Sequence, residues 1–146
     1  MIGRRQFVST SLGTAALAVV GRSAFGQVGG EHEHDHGSDA MEACAKACSD
    51  CQRACDACAT HCAHQLNAGK KEHLTTLMTC RDCADVCAAA AQIVARSGPF
   101  SKLICGPCAE ACASCAKECE KFPDDEHMKM CAAECRKCEK ACRAMV

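Results

Sequence analysis

The sequence has no tryptophan, no tyrosine and only four phenylalanines among its 146 residues. Only Phe100 and Phe122 lie beyond residue 26, and that region has just four leucines. Burial stabilises a fold by about 25 cal/mol per Å² of apolar surface, so a core without large side chains gains little from packing. These absences exclude a domain held together by aromatic and aliphatic packing alone. They indicate that bound metal or disulfides supply the remaining stability.

The chain also lacks an excess of positive charge. Its formal net charge is −1, and removal of the first 26 residues leaves 14 basic and 18 acidic residues, a net charge of −4. Binding to nucleic acid requires a basic face. The charge balance therefore argues against nucleic acid as a partner.

Residues 1–26 resemble an export signal. A twin-arginine box at residues 3–8 is followed by an apolar segment at 11–20, and residues 24–26 fit a small-x-small cleavage site. The apolar segment is too short for a stable membrane span. The box resembles the signal of the Tat pathway, which carries folded proteins. We therefore expect cleavage after Gly26 and a periplasmic or otherwise extracytoplasmic location.

Residues 27–38 form a second segment, in which histidines alternate with carboxylates at 31–36. The composition predicts a flexible, solvated linker. An alternative is a weak metal-gathering arm, because histidine and carboxylate together suit borderline divalent ions such as Cu(II) or Zn(II).

The remaining residues, 39–146, predict four helices and no strand. The expected helices span about 39–66, 71–96, 100–121 and 124–145. The connections are short, so neighbouring helices should run antiparallel. The predicted fold class is all-α, an antiparallel up-down four-helix bundle.

The 18 cysteines follow one register within these helices, because every step between consecutive cysteines of a helix is three or four residues. That spacing is the a/d seam of a heptad, where a bundle normally places leucine and isoleucine. The sequence therefore predicts a cysteine-lined core. The cysteines are Cys44, Cys48, Cys51, Cys55, Cys58 and Cys62; Cys80, Cys83 and Cys87; Cys105, Cys108, Cys112, Cys115 and Cys119; and Cys131, Cys135, Cys138 and Cys142.

Disulfides and a metal store compete as explanations of this seam. Residues three or four apart on a helix have Cβ atoms about 5–6 Å apart, whereas a disulfide requires about 3.5–4.5 Å. Disulfides between helices are allowed, but they do not need an unbroken seam. Packing as small apolar residues does not account for 18 oxidisable side chains. A store of metal ions on thiolates explains the whole seam.

Ligand softness favours Cu(I) as the ion. Thiolates prefer soft d¹⁰ ions, and Cu(I) accepts two or three ligands. Zn(II) prefers closed sites of four ligands, which a continuous stripe of thiolates suits less well. A zinc or broad-metal thiolate buffer remains an alternative. We expect the protein to bind and store multiple Cu(I) ions.

A second alternative comes from Cys105-Gly106-Pro107-Cys108, which copies a thioredoxin-like C-x-x-C motif. That motif functions between a strand and a helix, and no strand is predicted here. We interpret Gly106-Pro107 as a kink or an irregular first turn of the third helix. The alternative function is a thiol–disulfide redox enzyme.

Histidine and methionine extend the cysteine register at the helix ends. His73 and Met128 each lie seven residues before a cysteine, and His127 lies four before Cys131. In an antiparallel bundle these three residues share one end, where they could form a mouth for copper. Met41 extends the first helix at the opposite end, which it shares with Met145. Two other histidines, His61 and His64, are predicted to be surface residues.

The Cys-x₃-Cys-x₂-Cys units, the His and Met residues at the bundle ends and the twin-arginine signal together resemble the bacterial copper storage proteins. The resemblance covers about residues 39–145. It implies a non-enzymatic four-helix bundle that binds many Cu(I) ions, approaching one per cysteine. It also implies possible assembly into a tetramer and, for exported members, supply of copper to a recipient copper enzyme or chaperone.

Overall fold

The computed structural model describes residues 36–146, and within that range it contains four α-helices and no strand. This confirms the all-α fold class and the four-helix bundle. The predicted export signal and nearly all of the predicted linker lie outside the described residues. The helices are α1 (His36–Asn67), α2 (Leu74–Ala95), α3 (Ser101–Cys119) and α4 (Glu126–Arg143), with a 3₁₀ turn at Lys71–His73 before α2.

The four helices form a closed square, in which α1 and α3 each pack against both α2 and α4. The sulfur contacts across the core establish the helix directions. Cys44 contacts Cys105 and Cys58 contacts Cys119, so α1 and the diagonally opposite helix α3 run in the same direction. Cys44 also contacts Cys142, near the end of α4, so α1 and α4 run in opposite directions. The predicted up-down arrangement is confirmed.

Helix α1 begins at His36, three residues before the predicted start at Asp39. Asp39 therefore lies inside the first turn of the helix. An acidic side chain is stabilising there, because the helix dipole is positive at its N-terminus. The residue type therefore marks the neighbourhood of a helix start without determining which residue begins it.

Two helix ends close with the same pattern of hydrogen bonds. After α1, Gly69 takes a φ of 87°, and the N–H of Lys70 donates to the carbonyl of Gln65. After α2 the left-handed residue is Ser97, with a φ of 51°, and the N–H of Gly98 donates to the carbonyl of Ile93. Both are Schellman closures. A Cβ at Gly98 would lie 3.2 Å from the Ile93 carbonyl oxygen, which explains glycine there.

The core is built almost entirely of cysteine and alanine, with Val94 and Met128 as its largest apolar side chains. Helix α2 shows how the register determines burial, since its buried seam residues recur every three or four positions. From the 3₁₀ turn onward they are His73, Thr76, Cys80, Cys83, Cys87, Ala90 and Val94. In the described part of the chain, no helix combines the length and apolarity needed to cross a membrane.

Candidate metal centre

All eighteen cysteines are buried and all carry free thiols. Their side chains point into the bundle from four helices, because each helix presents one seam. Neighbouring sulfur atoms lie 3.5 Å (Cys48 to Cys142) to 4.0 Å (Cys48 to Cys108) apart. The structure therefore places a continuous column of thiols along the bundle axis, as the register predicted.

The thiols form groups of four whose sulfur atoms all lie within 4.8 Å of one another. Each group draws on at least two helices, so it exists only in the folded bundle. Five of these groups are Cys48/Cys108/Cys138/Cys142, Cys51/Cys83/Cys87/Cys112, Cys51/Cys55/Cys83/Cys135, Cys55/Cys115/Cys131/Cys135 and Cys58/Cys80/Cys119/Cys131.

The groups overlap, and the overlap decides what the column can hold. Five cysteines each belong to two of these groups, namely Cys51, Cys55, Cys83, Cys131 and Cys135. A thiolate shared between two groups can bridge two ions, and low-coordinate Cu(I) tolerates such bridging. Each tetrahedral Zn(II) ion requires four ligands, so the same thiols hold fewer zinc ions. The geometry therefore favours many closely spaced Cu(I) ions over separate tetrahedral sites.

Burial and hydrogen bonding control the protonation of the core thiols. Burial and, to a smaller extent, the nearby charge of Cys44 together raise the pKa of the Cys105 thiol to about 12. A hydrogen bond from Cys119 lowers the pKa of Cys115 to about 7. The column can thus hold a few thiolates that accept hydrogen bonds from neighbouring thiols, but it cannot ionise throughout. Copper must displace protons as it binds.

We expect the reduced apo protein to lose stability above pH 9. An unfolded thiol ionises near the ordinary pKa of 9.0, whereas folded Cys105 ionises near 12. A raised pKa stabilises the folded state below pH 9, and this contribution is lost as pH rises through the folded pKa. Urea unfolding midpoints at neutral pH and at about pH 11 measure the loss. Copper-loaded protein is the control, because its thiols have already lost their protons. Equal apo midpoints would contradict the expectation.

Met128 joins the thiol column at the end of the bundle where α4 begins. It is fully buried, and its sulfur lies 3.4 Å from the sulfur of Cys58. Asp125 fixes this turn, because its carboxylate accepts hydrogen bonds from the backbone N–H groups of His127 and Met128. The predicted position of Met128 beside the cysteines is therefore explained by an ordinary N-cap.

His73 is buried at the same end, with 4% of its surface exposed. Its ring stacks on Phe122 with centroids 4.3 Å apart, and its Nδ1 has no hydrogen-bond partner. The hydroxyl of Thr76, one turn later, is also buried without a partner. Unsatisfied buried polar atoms are costly. The buried imidazole nitrogen of His73 would gain a partner by binding a copper ion.

His61 was predicted to be a surface residue, and the structure corrects this. Its side chain is only 17% exposed, and its Nε2 lies 2.7 Å from an Asp125 carboxylate oxygen. Although burial opposes it, this hydrogen bond lowers the pKa of Asp125. The ring of His61 also stacks on His127, with centroids 4.6 Å apart. The spacing could have indicated this position, because His61 lies three residues after Cys58 and so lies near the same face of the helix. His64 is exposed, as predicted.

The structure divides the predicted mouth into two openings. His73 lines a cavity of about 610 Å³ at the end of the bundle, together with Glu72 and Asp124. His127 is exposed and lines a separate groove between α1 and α4. His61 lies between the two, 4.6 Å from the His127 ring and 6.2 Å from the His73 ring.

The opposite end of the bundle is more apolar. Met41 and Met145 lie there, half-buried against the core. Helix α2 contributes Ala90 and Val94 to this end in place of cysteine. Met41 borders a cavity of about 240 Å³ with Val94. The structure therefore places Met41 where the sequence predicted it, beside a largely aliphatic cap.

Cys105 and Cys108 do not form an exposed redox centre. Both lie inside α3, whose first residue is Ser101, so Pro107 falls beyond the first turn. Neither cysteine exposes any surface, and Cys105 contacts Cys44 across the core. A reactive thiol must be reached by its substrate. The pair belongs to the column.

Known proteins share this architecture. A family model described as copper storage protein matches residues 20–146. A cytosolic copper storage protein from Streptomyces lividans with five coppers is 33% identical, with 75% of this chain and 93% of that chain covered and a TM-score of 0.68. The same organism's protein loaded with ten copper equivalents is 34% identical, with 73% and 83% covered and a TM-score of 0.67.

A third similar structure contains Cu(I). It is the Cu(I)-bound copper storage protein BsCsp3, which is 40% identical, with 73% of this chain and 97% of that chain covered and a TM-score of 0.66. No curated protein matches the sequence.

Proposed function

The chain belongs to the copper storage protein family, and on this basis we propose that it stores Cu(I) on all eighteen cysteines of its core. The observation that carries the proposal is the overlap of the four-thiol groups. Overlap lets thiolates bridge neighbouring ions, so one column holds more ions than separate sites would. Each bound ion also neutralises thiolates that could not remain charged in an apolar interior.

Removal of one shared thiol tests the proposal. Cys55 contacts Cys51, Cys115 and Cys135, and it belongs to two groups. We expect Cys55→Ser to lower the number of Cu(I) ions bound by roughly one or two, because a hydroxyl is a poor ligand for a soft ion. An anaerobic titration against a Cu(I) chelator measures the number.

Ala116→Ser is the matched control, because it introduces the same hydroxyl at a fully buried position without removing a thiol. It should retain the full copper capacity. Unchanged capacity in Cys55→Ser, confirmed as folded by circular dichroism, would show that copper is bound outside the column.

The non-cysteine ligands form a second part of the proposal. The Met128 sulfur contacts the sulfur of Cys58, and His73 is buried at the same end of the bundle. Thioether and imidazole bind Cu(I) more weakly than thiolate, as an uptake relay requires. We assign the same role to His127 at the neighbouring groove. Met41 is the corresponding ligand at the opposite end.

A storage role explains the core better than catalysis does. The thiol–disulfide alternative needs an accessible thiol, and Cys105 and Cys108 are both buried. The zinc or broad-metal alternative would need four ligands around each ion, so it would use the eighteen thiols to hold fewer ions. The proposed partners are copper ions and a recipient copper enzyme or chaperone, with assembly of the bundle into a homotetramer.

We propose export for this member of the family, on the strength of the twin-arginine box at residues 3–8. Tat transport accepts folded proteins, so the thiol column would form in the reducing cytosol before export. One relative is described as cytosolic, so location must be tested for this chain.

Fractionation of cells producing the full chain tests this proposal. We expect the mature protein in the periplasmic fraction and the Arg4→Lys/Arg5→Lys variant in the cytosol, because Tat recognition depends on the arginine pair. Lys70→Arg, an exposed basic substitution in the bundle, is the control and should be exported normally. Cytosolic location of the unmodified chain would contradict export.

A further inference from the structure

Helix α3 contains a proline at its seventh residue. Pro107 follows Gly106, and the helix continues through both residues to Cys119. Proline has no N–H to donate to the carbonyl four residues earlier, here that of Leu103, and its ring crowds that carbonyl. Glycine is the poorest helix former after proline. The first six residues of α3, 101–106, are therefore joined to the rest of the helix at its weakest point, and we call them the α3 flap.

Packing does not explain this pair of residues. A Cβ at position 106 would meet no atom within 4 Å, and Pro107 is exposed. Alanine at both positions would therefore fit the fold and would strengthen the helix. The Gly106-Pro107 pair thus weakens α3 at a place where the surrounding structure requires neither residue.

The α3 flap is held to the bundle by few contacts. Phe100, which precedes it, exposes 62% of its surface, and Leu103 exposes 69%. Phe100 provides no side-chain hydrogen bond to cap the helix. Ile104 is half-buried against the core, so Ser101 and Cys105 are the only fully buried residues of the flap. Segments with few buried apolar contacts open locally at low free energy.

Ser101 connects the α3 flap to the end of α2. Its buried hydroxyl donates to the carbonyl of Gly98 at 2.7 Å, and the carbonyl oxygen of Ile93 lies 3.4 Å away. The backbone N–H of Ser101 donates to the same Gly98 carbonyl. Single hydrogen bonds contribute modestly to stability. This connection can therefore break while the rest of the bundle stays folded.

The α3 flap carries one thiol of the column, that of Cys105. Its sulfur lies 3.8 Å from the sulfur of Cys44, which also lies 3.8 Å from that of Cys142. Cys108 lies outside the flap and contacts Cys48. Opening of the flap would separate Cys105 from Cys44 and leave Cys108 in place. A copper ion held between Cys44 and Cys105 would lose one of its ligands.

We propose that the α3 flap is a release site, which opens at Gly106-Pro107 and transfers the terminal Cu(I) ion to an acceptor that bears a thiol. A bond forms between copper and the acceptor sulfur as the bond between copper and Cys105 breaks. The proton of the acceptor thiol moves to the Cys105 sulfur, and copper remains Cu(I) throughout. The site lies at the end of the bundle opposite the cavity lined by His73. This proposal rests on the storage of Cu(I) in the core.

Release kinetics test the flap with two variants whose expected effects are opposite. Copper-loaded full-chain protein is mixed without oxygen with excess glutathione as the thiol acceptor. Bathocuproine disulfonate traps the released Cu(I), and its colour gives the initial rate. Gly106→Ala/Pro107→Ala should slow release about tenfold or more, because it strengthens the helix. Ser101→Ala should accelerate release about fivefold, because it removes the hydroxyl that holds the flap. Neither variant removes a ligand, so both should bind the wild-type number of ions.

Hydrogen exchange locates the motion in the same copper-loaded protein. The amides of residues 102–106 should exchange faster than those of residues 109–118, although both segments belong to α3. Gly106→Ala/Pro107→Ala should remove this difference, and Ser101→Ala should enlarge it. Equal protection of the two segments in the wild-type protein would overturn the flap.

Two matched variants make the same chemical changes outside the flap. Pro123→Ala lies in the connection between α3 and α4, and Ser114→Ala lies on α3, both at exposed positions. Both variants should release copper at the wild-type rate. Wild-type release rates in Gly106→Ala/Pro107→Ala and in Ser101→Ala would overturn the release site, even if the wild-type protein fills with copper. Failure of the wild-type protein to take up many ions would instead overturn the storage function.

Discussion

The reduced protein is expected to bind more than ten Cu(I) ions per chain, with the number approaching its eighteen cysteines. Under the same conditions it should bind fewer Zn(II) ions, because each tetrahedral zinc ion needs four ligands, whereas Cu(I) accepts two or three. The same eighteen thiols therefore serve more copper ions than zinc ions. Shared thiols such as Cys51, Cys55 and Cys131 can each bridge two neighbouring Cu(I) ions.

Parallel anaerobic titrations measure this difference. Copper binding is followed by thiolate-to-copper charge-transfer absorbance against a competing chelator, and zinc binding by the metal retained after desalting. Protein with its thiols alkylated after unfolding is the control and should bind little of either ion. Saturation at a handful of copper ions, or at equal numbers of copper and zinc, would contradict the shared-thiol column.

The second large effect is on stability. Removal of copper should lower the unfolding temperature on the order of 30 °C or more. A site at a free-ion concentration of 100 times its Kd stabilises the folded state by about 2.7 kcal/mol. In a domain of this size, each kcal/mol shifts the unfolding temperature by about 4 °C. Many sites that bind only the folded state therefore add up to a large shift.

The apo protein has little to replace this contribution. Its buried side chains are mostly cysteine and alanine, with Val94 and Met128 as the largest apolar ones. Circular dichroism melts of reduced apo, partly loaded and fully loaded protein measure the shift, which should grow with each equivalent of Cu(I). The matched control adds Mg²⁺, which prefers oxygen ligands and should leave the melt unchanged. Equal melting temperatures for apo and loaded protein would contradict a metal-dependent core.

Much of the core could be predicted, because the spacing of residues along a helix determines which face their side chains occupy. Steps of three and four residues place Cys44, Cys48 and Cys51 on one face, and any bundle must bury its seams. The same argument located Met128 beside the last cysteines. It failed for His61, which lies beside the buried seam residue Cys62, because the hydrogen bond to Asp125 after α3 holds its ring inward, and spacing along α1 does not encode that contact.

The sequence by itself determined the helices, their antiparallel order and the inward orientation of the cysteines, since these follow from local spacing and short connections. Only the tertiary structure decided which thiols meet. The pairing of Cys55 with Cys115 and Cys135 depends on the relative heights of three helices, and turns such as those at Gly69 and Asp125 set those heights. The division of the predicted mouth into an end cavity at His73 and a side groove at His127 likewise depends on how closely α1 and α4 approach, which spacing along one helix does not encode.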